Sequence, residues 1–386
     1  RNSRSEVVLS ERSGHLKTGE TAISARQTLN ERAMTDSMDI RDVEVVAPNF
    51  KRRLSGVTST IIQIIPEQRA AGTRVATIGP GLPASLPSIS LSQIPELLKP
   101  PRDKPFRIWH ARRNTEMLAG LFLKKVLRAP LKLVFTSAAQ RSHTSYTKWL
   151  IRQMDAVVTT SSRSAAFLKV PHTIVPHGVD LEAFRPPSDE ERDWSRTELP
   201  GKYGIGCFGR VRHQKGTDLY VATLIDLLPK YPDWTGLVFG RVTADNRGFC
   251  DELQEKVDAA GLHERILFMG EVPDVKPWLR RVSLCVAPSR NEGFGLTPLE
   301  AMASETAVAA SDAGAYCDIV ADGETGFVVP AGDKAALARA IETYLANPEL
   351  AADHAKAGHQ RVHENFALRR EAEGLARVYE TVWAQS

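Results

Sequence analysis

Short apolar runs alternate with amphipathic stretches along the chain from residue 43 onward. The runs are rich in β-branched residues and are bounded by polar, glycine or proline positions, which is typical of strands buried on both faces. The stretches between them repeat apolar positions with the helical period, as Leu118, Leu121 and Phe122 do in the segment 117–127. Such alternation predicts an α/β fold with parallel sheets covered by helices on both faces. The predicted strands are 43–47, 74–78, 106–110, 131–136, 156–159, 173–176, 204–208, 236–239, 266–269, 284–287 and 307–310.

The alternation stops once and then restarts, which divides the chain into two domains. The segment 184–200 contains Pro186, Pro187 and a run of charges, and we interpret it as a linker. Two such blocks predict two doubly wound, Rossmann-like domains that face each other across a cleft, where ligands bind at the carboxyl ends of strands. We expect a disordered extension over 1–33, a first domain over 34–185 and a second domain over 186–365.

Composition excludes several classes of protein. The chain has 386 residues, of which 42% are hydrophobic and 25% charged, so it is not a disordered, collagenous or small disulfide-stapled protein. No apolar run is long enough to span a membrane, and no apolar core of a secretory signal lies near residue 1. The four cysteines are far apart without a CxxC pair, which favours a reduced, cytoplasmic protein.

The net charge of +4 conceals two halves of opposite sign. Residues 34–185 carry a net charge of +11, and residues 186–386 carry −9. The basic first half indicates an anionic partner, which could be nucleic acid, a membrane surface or an acidic substrate. A simple drift of charge between two domains is the alternative interpretation.

The most informative motif is NEGFGLTPLE at 291–300, which follows a predicted strand and opens a predicted helix. Thr297 and Glu300 have the spacing of a capping box. Gly293 and Gly295 allow backbone amides to face a ligand, and the helix start adds its positive end. The motif therefore predicts a phosphate site at the start of this helix.

Charged residues of both signs accompany this site. Glu300 could be fully occupied by the helix cap, whereas Glu292 has no capping role in its glycine-rich loop. The second motif, GRVRHQKG at 209–216, places Arg210 and Lys215 in the loop after the first strand of the second domain. Their fixed positive charges could bind a diphosphate and stabilise the negative charge that grows on a nucleotide leaving group, or they could be solvated loop cations.

Other motifs carry less weight. The run GIGCFG matches GxGxxG, but a basic loop continues to Lys215 before a helix begins, which disfavours a dinucleotide site. His359 and His363 lie one helical turn apart without a third metal ligand. No DxD, HExxH or GKS/T motif occurs. His110 and His143, beside predicted strands, could each be catalytic or structural.

Together these motifs resemble the retaining nucleotide-sugar glycosyltransferases of GT-B fold, glycosyltransferase family 4-like. The resemblance covers residues 43–383, and the segments IWHARRN and FTSAAQR of the first half look like the mannosyltransferases that build lipopolysaccharide core. The motifs that carry it are GRVRHQKG at 209–216, EGFGLTPLE at 292–300, IVPHGVD at 174–180 and DGETGF at 322–327.

The resemblance implies a role for each matching residue. Arg210 and Lys215 would bind the donor diphosphate, Glu300 the ribose hydroxyls, and Glu292 the transferring sugar. The C-terminal segment 366–386 would form a helix that crosses back to the first domain. The remaining donor-binding positions, which would act through their backbone, are Gly56, Gly293, Phe294, Gly295 and Leu296.

The sequence departs from the family at two places. Many relatives have a histidine directly after the strand 131–135, where this chain has Thr136. His143, Gln140 or a backbone group would take over that contact. Relatives often have asparagine at the position of His177.

The resemblance implies a retaining hexosyltransferase that moves mannose from GDP-mannose to an anionic glycolipid, the inner core of lipopolysaccharide. It implies no metal or other cofactor and no nucleic-acid partner. A transferase that uses a UDP-sugar and a catalytically silent nucleotide-sugar-binding subunit remain alternatives. Such an acceptor predicts a cytoplasmic enzyme that binds peripherally to the inner face of the cell membrane through the basic first half. The candidate membrane-binding cations are Arg112, Arg113, Lys124, Lys125, Arg128 and Lys132.

Overall fold

The first half of the chain folds around a parallel sheet of six strands. The computed structural model describes residues 39–52 and 56–385, so the predicted extension 1–33 lies outside the described residues. The strands are β1 (Val45–Pro48), β2 (Val75–Ile78), β3 (Arg107–Ala111), β4 (Leu131–Ser137), β5 (Ala156–Thr159) and β6 (Thr173–Ile174). They pair in the order β2-β1-β3-β4-β5-β6. The strand order reverses between β1 and β3, which creates a crevice at their carboxyl ends.

The second half repeats this arrangement. Its strands are β7 (Tyr203–Phe208), β8 (Trp234–Phe239), β9 (Ile266–Gly270), β10 (Leu284–Ala287), β11 (Ala307–Ser311) and β12 (Phe327–Val329). They pair in parallel in the order β12-β11-β10-β7-β8-β9, so the order reverses between β7 and β10. The predicted α/β class with two doubly wound sheets is therefore confirmed.

Helices connect the strands and cover both sheets. Because the sheets are parallel, each connection must cross from one end of the sheet to the other, and a helix makes that crossing. The helices are α1 (Gly56–Ala70), α2 (Asn114–Lys125), α3 (Ser145–Ile151), α4 (Ser162–Ala165), α5 (Asp189–Arg192), α6 (Thr217–Leu227), α7 (Arg247–Ala259), α8 (Lys276–Arg281), α9 (Thr297–Ala303), α10 (Tyr316–Ile319), α11 (Lys334–Ala346), α12 (Pro348–Asn365) and α13 (Leu368–Ala384).

The last helix, α13, returns to the first sheet and packs against α1. The side-chain amide of Gln68 donates to the hydroxyl of Tyr379 over 3.1 Å, and the indole of Trp383 donates to the carbonyl of Phe106 over 3.2 Å. All four residues are buried. The helix therefore ties the end of the second half to the core of the first.

Two features differ from the sequence prediction. Strand β12 was not predicted, because its apolar run is only three residues long and half-buried. The segment 184–200, which is predicted to be a linker, contains α5 and the 3₁₀ turn Trp194–Thr197. Trp194 is buried against β8 and β7, so this segment packs on the second sheet.

Helix α2 buries only part of the apolar stripe that its sequence pattern indicates, since Leu121 is buried and Leu118 and Phe122 are not. Gly120 lies on the ring of Trp109, and a Cβ at that position would come within 2.5 Å of the ring. The indole of Trp109 also donates to the carbonyl of Glu116 over 2.8 Å. These contacts turn Gly120 towards the sheet, so Leu118 and Phe122 point outward and about half of each side chain is exposed.

Candidate active site

Both charged motifs lie where the strand order of the second sheet reverses. The loop 209–216 follows β7, and the loop 288–296 follows β10. Because β7 and β10 are parallel neighbours, the two loops leave the same edge of the sheet side by side. This crevice is the place where doubly wound sheets bind their ligands.

A set of hydrogen bonds joins the two loops. The amide of Arg290 donates to the carbonyl of Gln214 over 2.9 Å, and the side chain of Gln214 donates to the carbonyl of Asn291 over 3.3 Å. The guanidinium of Arg290 forms a forked pair with Asp218, with two bonds of 2.7 Å, and donates to the carbonyl of His213 over 2.6 Å. The relative position of the loops is therefore fixed by charge-assisted bonds.

Lys215 and Glu292 form an ion pair at the centre of the crevice. The side chains are 19% and 12% exposed, so water screens the pair only weakly. Arg210, in contrast, is exposed and makes no hydrogen bond or ion pair with any residue that the structure describes. The crevice therefore presents Arg210 as an unpaired cation and Lys215 as a cation that is paired with a carboxylate.

The backbone of the loop 288–296 is shaped by a close contact with Tyr316. Gly295 has a φ of +87°, and a Cβ there would lie 2.3 Å from the Tyr316 ring, so only glycine fits. The N–H groups of Phe294, Gly295 and Leu296 have no acceptor within the described part of the chain. Three unpaired amides next to a helix start form an anion-binding surface.

Glu300 lies one turn into α9, and the predicted capping box is wrong. The helix begins at Thr297, with Leu296 in the capping position and no side-chain cap. Burial raises the pKa of Glu300 to about 7, although Lys215 and Lys276 act in the opposite direction. Glu300 is thus a half-buried carboxyl group without a capping role.

The first domain reaches this site through Gln140. Its side-chain amide donates to the carbonyl of Gly293 over 2.7 Å, across the cleft between the two sheets. His143 lies close by and is 3.3 Å from the hydroxyl of Ser137, at the end of β4. Burial, Lys148 and Arg141 lower the pKa of His143, which favours a neutral ring at pH 7.

His110 does not face the cleft. It is buried, with one ring nitrogen 2.6 Å from the hydroxyl of Tyr379 and the other 2.6 Å from the hydroxyl of Thr136. Burial also lowers the pKa of His110 well below its ordinary value. Since both nitrogens have partners, His110 joins α13 to β3 and β4. Gly56, the predicted contact from the first domain, is the exposed first residue of α1.

His177 links α13, the helix that returns to the first sheet, to the loop 288–296. Its Nδ1 donates to the carboxylate of Glu371 over 2.8 Å, and the amide of Gly178 donates to the other carboxylate oxygen over 2.8 Å. The His177 ring meets the ring of Phe294 edge-on, with 5.0 Å between centroids. The buried residues Glu371, His177 and Phe294 thus connect α13 with the loop that holds Glu292.

Comparison with known proteins identifies the family. Residues 202–347 match the family model described as glycosyl transferases group 1. The chain is 60% identical over 344 residues to the lipopolysaccharide core biosynthesis mannosyltransferase LpcC of Rhizobium leguminosarum bv. viciae, covering 89% of this chain and 98% of that protein. It is 52% identical to LpsB of Rhizobium meliloti (strain 1021), a protein of the same description, covering 89% and 99%. This chain belongs to the group 1 glycosyltransferases.

The fold of this glycosyltransferase is GT-B. The structure of HepE from Anabaena in complex with UDP superposes with a TM-score of 0.75 at 18% identity, covering 88% of this chain and all of that chain. The GxGxxG match lies largely inside β7, and the next helix, α6, begins only at Thr217. That run is therefore strand rather than a dinucleotide loop.

The structure brings together most of the predicted site residues of the glycosyltransferase. Arg210, Lys215, Glu292, Glu300 and the backbone of 293–296 all lie at the same crevice. The Arg290–Asp218 clamp was not predicted from the sequence, although opposite charges next to both motifs were a usable signal. No group of three or more His, Cys, Asp or Glu side chains in 39–52 and 56–385 is arranged to hold a metal ion.

We expect Glu371→Ala to destabilise the glycosyltransferase by about 3 kcal/mol, because two charge-assisted hydrogen bonds are lost and the buried amide of Gly178 is left unpaired. Thermal or urea unfolding measures the change. Glu373→Ala, which removes an exposed ion pair with Arg369 on the same helix, is the control and should cost less than about 0.5 kcal/mol. Equal effects of the two substitutions would contradict the proposed link.

Proposed function

We propose that this glycosyltransferase transfers mannose from GDP-mannose to a lipopolysaccharide core acceptor, with retention of configuration at the anomeric carbon. Two relatives that match nearly the whole chain are lipopolysaccharide core mannosyltransferases by name. The observation that carries the proposal is the crevice itself, where Lys215 and Glu292 pair beside the free Arg210 and three unpaired amides. That arrangement suits a sugar joined to a diphosphate.

Each group has one task in the proposed reaction. Arg210, Lys215 and the amides of 294–296 bind the diphosphate and stabilise the charge that develops as it leaves. When the donor binds, Glu292 gives up part of its contact with Lys215 and accepts hydrogen bonds from the hydroxyls of the sugar. Glu300 accepts hydrogen bonds from the ribose hydroxyls. These cations and amides supply the charge stabilisation that a metal could supply, so we propose a reaction without metal or other cofactor.

We assign the proposed retention to same-face attack rather than to a covalent intermediate, and the residues on the acceptor side support this choice. The segment 136–145, which reaches the donor loop through Gln140, contains no Asp or Glu. No carboxylate of this segment is available to form the covalent intermediate of a double displacement. We therefore propose that the acceptor oxygen attacks the anomeric carbon on the face from which the diphosphate departs. The bond from carbon to diphosphate oxygen breaks, and the acceptor proton passes to the diphosphate.

The acceptor also implies a location. A core glycolipid is anchored in a membrane, so we propose a cytoplasmic enzyme that works peripherally at the inner face of the cell membrane. The net charge of +11 over 34–185 supports this orientation, with the acidic second domain turned towards the cytosol.

A panel of nucleotides and nucleotide sugars tests the proposed donor. A ligand at 100 times its dissociation constant stabilises a folded protein by about 2.7 kcal/mol, which thermal unfolding detects. We expect GDP and GDP-mannose to stabilise the enzyme and UDP and UDP-glucose to have little effect. GDP release in the presence of core lipid, and the anomeric configuration of the product by NMR, complete the test.

Each contrary result supports a different alternative. Stronger stabilisation by a UDP-sugar would indicate another donor. Binding of GDP-mannose without GDP release, in the presence of acceptor, would indicate a silent binding subunit. An inverted product would contradict same-face attack.

A further inference from the structure

Helices α2 and α3 carry an exposed apolar surface on the first domain. Six large apolar or aromatic side chains on and just after these helices are between 43% and 62% exposed, and we call them the apolar face. Isolated exposed residues of this kind are ordinary, but a cluster on two adjacent helices marks an interaction site. The apolar face consists of Leu118, Phe122, Val126, Leu127, Tyr146 and Trp149.

The two helices form one continuous surface. They pack against each other, and the side-chain amide of Asn114 donates to the hydroxyl of Thr147 over 2.8 Å. Leu118 and Phe122 follow Asn114 at intervals of one helical turn, so they extend the same side of α2. On α3, the rings of Tyr146 and Trp149 stack with 6.3 Å between centroids and 19° between planes.

The charges around the apolar face are all of one sign. Lys125, Arg128, Lys148 and Arg152 are exposed beside it. In the segments 114–128 and 141–152 the only acid is Glu116, which is fully buried and paired with Arg113. A rim of cations without exposed acids complements an anionic surface.

This surface corrects the predicted set of membrane-binding cations. Lys124 and Lys132 both pair with Asp155, at 2.6 Å and 3.5 Å, and Arg113 pairs with Glu116 at 2.6 Å. These three charges are largely balanced within the protein. Leu118 and Phe122, which belong to the apolar stripe of 117–127, are exposed rather than buried in the core.

We propose that the apolar face and its cationic rim dock on an anionic lipid bilayer and insert side chains at the level of the headgroups. Tyr146 and Trp149 combine an apolar ring with a polar edge, which suits this interface. A second copy of the chain fits less well, because a twofold contact would bring the same cations together. Among the described residues, no helix is long and apolar enough to cross a membrane. The proposed docking is peripheral.

The apolar face lies near the cleft between the two sheets, where the proposed reaction takes place. The biological purpose of docking therefore rests on the proposed function. Gln140, which contacts Gly293 in the donor loop, precedes Tyr146 by six residues. Six residues span at most about 22 Å, so the docked surface borders the cleft. A lipid-anchored acceptor could then enter the cleft from the membrane without leaving the bilayer.

Vesicle co-sedimentation of the full chain tests the proposal, with vesicles of phosphatidylcholine alone or mixed with phosphatidylglycerol. We expect binding to the mixed vesicles only. The double variant Phe122→Ser and Trp149→Ser should bind at least tenfold more weakly at low and high salt, because apolar insertion is lost. Lys125→Glu with Lys148→Glu should lose at least fivefold per residue at low salt, and less as salt rises. Leu91→Ser, at an exposed apolar residue outside the face, is the matched control.

The outcomes separate this proposal from the proposed function. Wild-type binding to neither vesicle, equal binding to both, or losses in the control equal to those in the face variants would overturn the docking surface. Loss of a dimer in the face variants, measured by light scattering, would identify a second copy as the occupant instead. Stabilisation by GDP-mannose and transfer to a detergent-solubilised acceptor should be unchanged in all these variants. Failure of those two assays in the wild type would contradict the function and leave the vesicle result standing.

Discussion

Arg210→Ala and Lys215→Ala should each reduce turnover by about 10²- to 10³-fold, which is the usual effect of removing one group that stabilises charge in a transition state. The two variants should differ in stability. Arg210 is exposed and has no partner among the described residues, so its removal should leave unfolding unchanged within about 0.5 kcal/mol. Lys215→Ala leaves the carboxylate of Glu292 unpaired and should also destabilise the fold.

Steady-state kinetics and thermal unfolding measure both effects. Arg339→Ala, at an exposed position on α11, is the control for loss of an arginine from the surface of the second domain. Turnover close to the wild-type value in both Arg210→Ala and Lys215→Ala would remove the diphosphate assignment.

Glu292→Gln tests whether Glu292 binds the sugar directly or acts only by holding Lys215 against the leaving group. The substitution keeps the shape of the side chain and removes the charge that holds Lys215. If Glu292 binds the sugar, free GDP should bind as before while transfer from GDP-mannose is lost. An equal loss of affinity for GDP and GDP-mannose would show that Glu292 acts through Lys215 alone.

The sheets could be predicted because most of their strands are largely buried on both faces. Runs such as those of β1 and β10 are uniformly apolar and buried, and the pattern leaves little choice of structure. Strand β12 could not be predicted in this way, since its residues are half-exposed and its place follows from pairing with β11. The position of β12 is set by its tertiary contact with β11 and not by its own sequence pattern.

The sequence predicts the two motifs of the site, but it does not predict which of their side chains contact each other. Strand alternation places both loops at carboxyl ends, yet only the sheet order makes β7 and β10 neighbours. The contact of Lys215 with Glu292 and the clamp of Arg290 on Asp218 follow from that order. The sequence also could not predict which side of α2 is exposed. That side depends on Trp109, which fills the space beside Gly120, and not on the pattern of residues in the helix itself.

The raised pKa of Glu300 makes this carboxyl group costly to the fold and useful to the donor site. A proton is held more tightly in the folded protein, where the pKa is about 7, than in the unfolded chain, where it has its ordinary value of about 4.5. Stability therefore falls as the pH rises between these values, and above pH 7 the full penalty of about 3 kcal/mol applies. Glu300→Gln removes the charge and keeps the shape. We expect the variant to be more stable than the wild type at pH 8, by up to about 3 kcal/mol, and equally stable near pH 4.

The same substitution should weaken the binding of the donor nucleotide. A carboxylate that accepts from ribose hydroxyls contributes about 1.5–3 kcal/mol per bond, so GDP should bind Glu300→Gln about 10- to 100-fold more weakly at pH 8. In the wild type, affinity for GDP should rise as the pH passes through about 7 and Glu300 ionises, whereas the variant should show no such step. Calorimetric titration with GDP across this range measures both, and Glu255→Gln, at an exposed acid on α7, is the control. A variant that gains stability but binds GDP with unchanged affinity would show that the charge of Glu300 serves something other than the ribose.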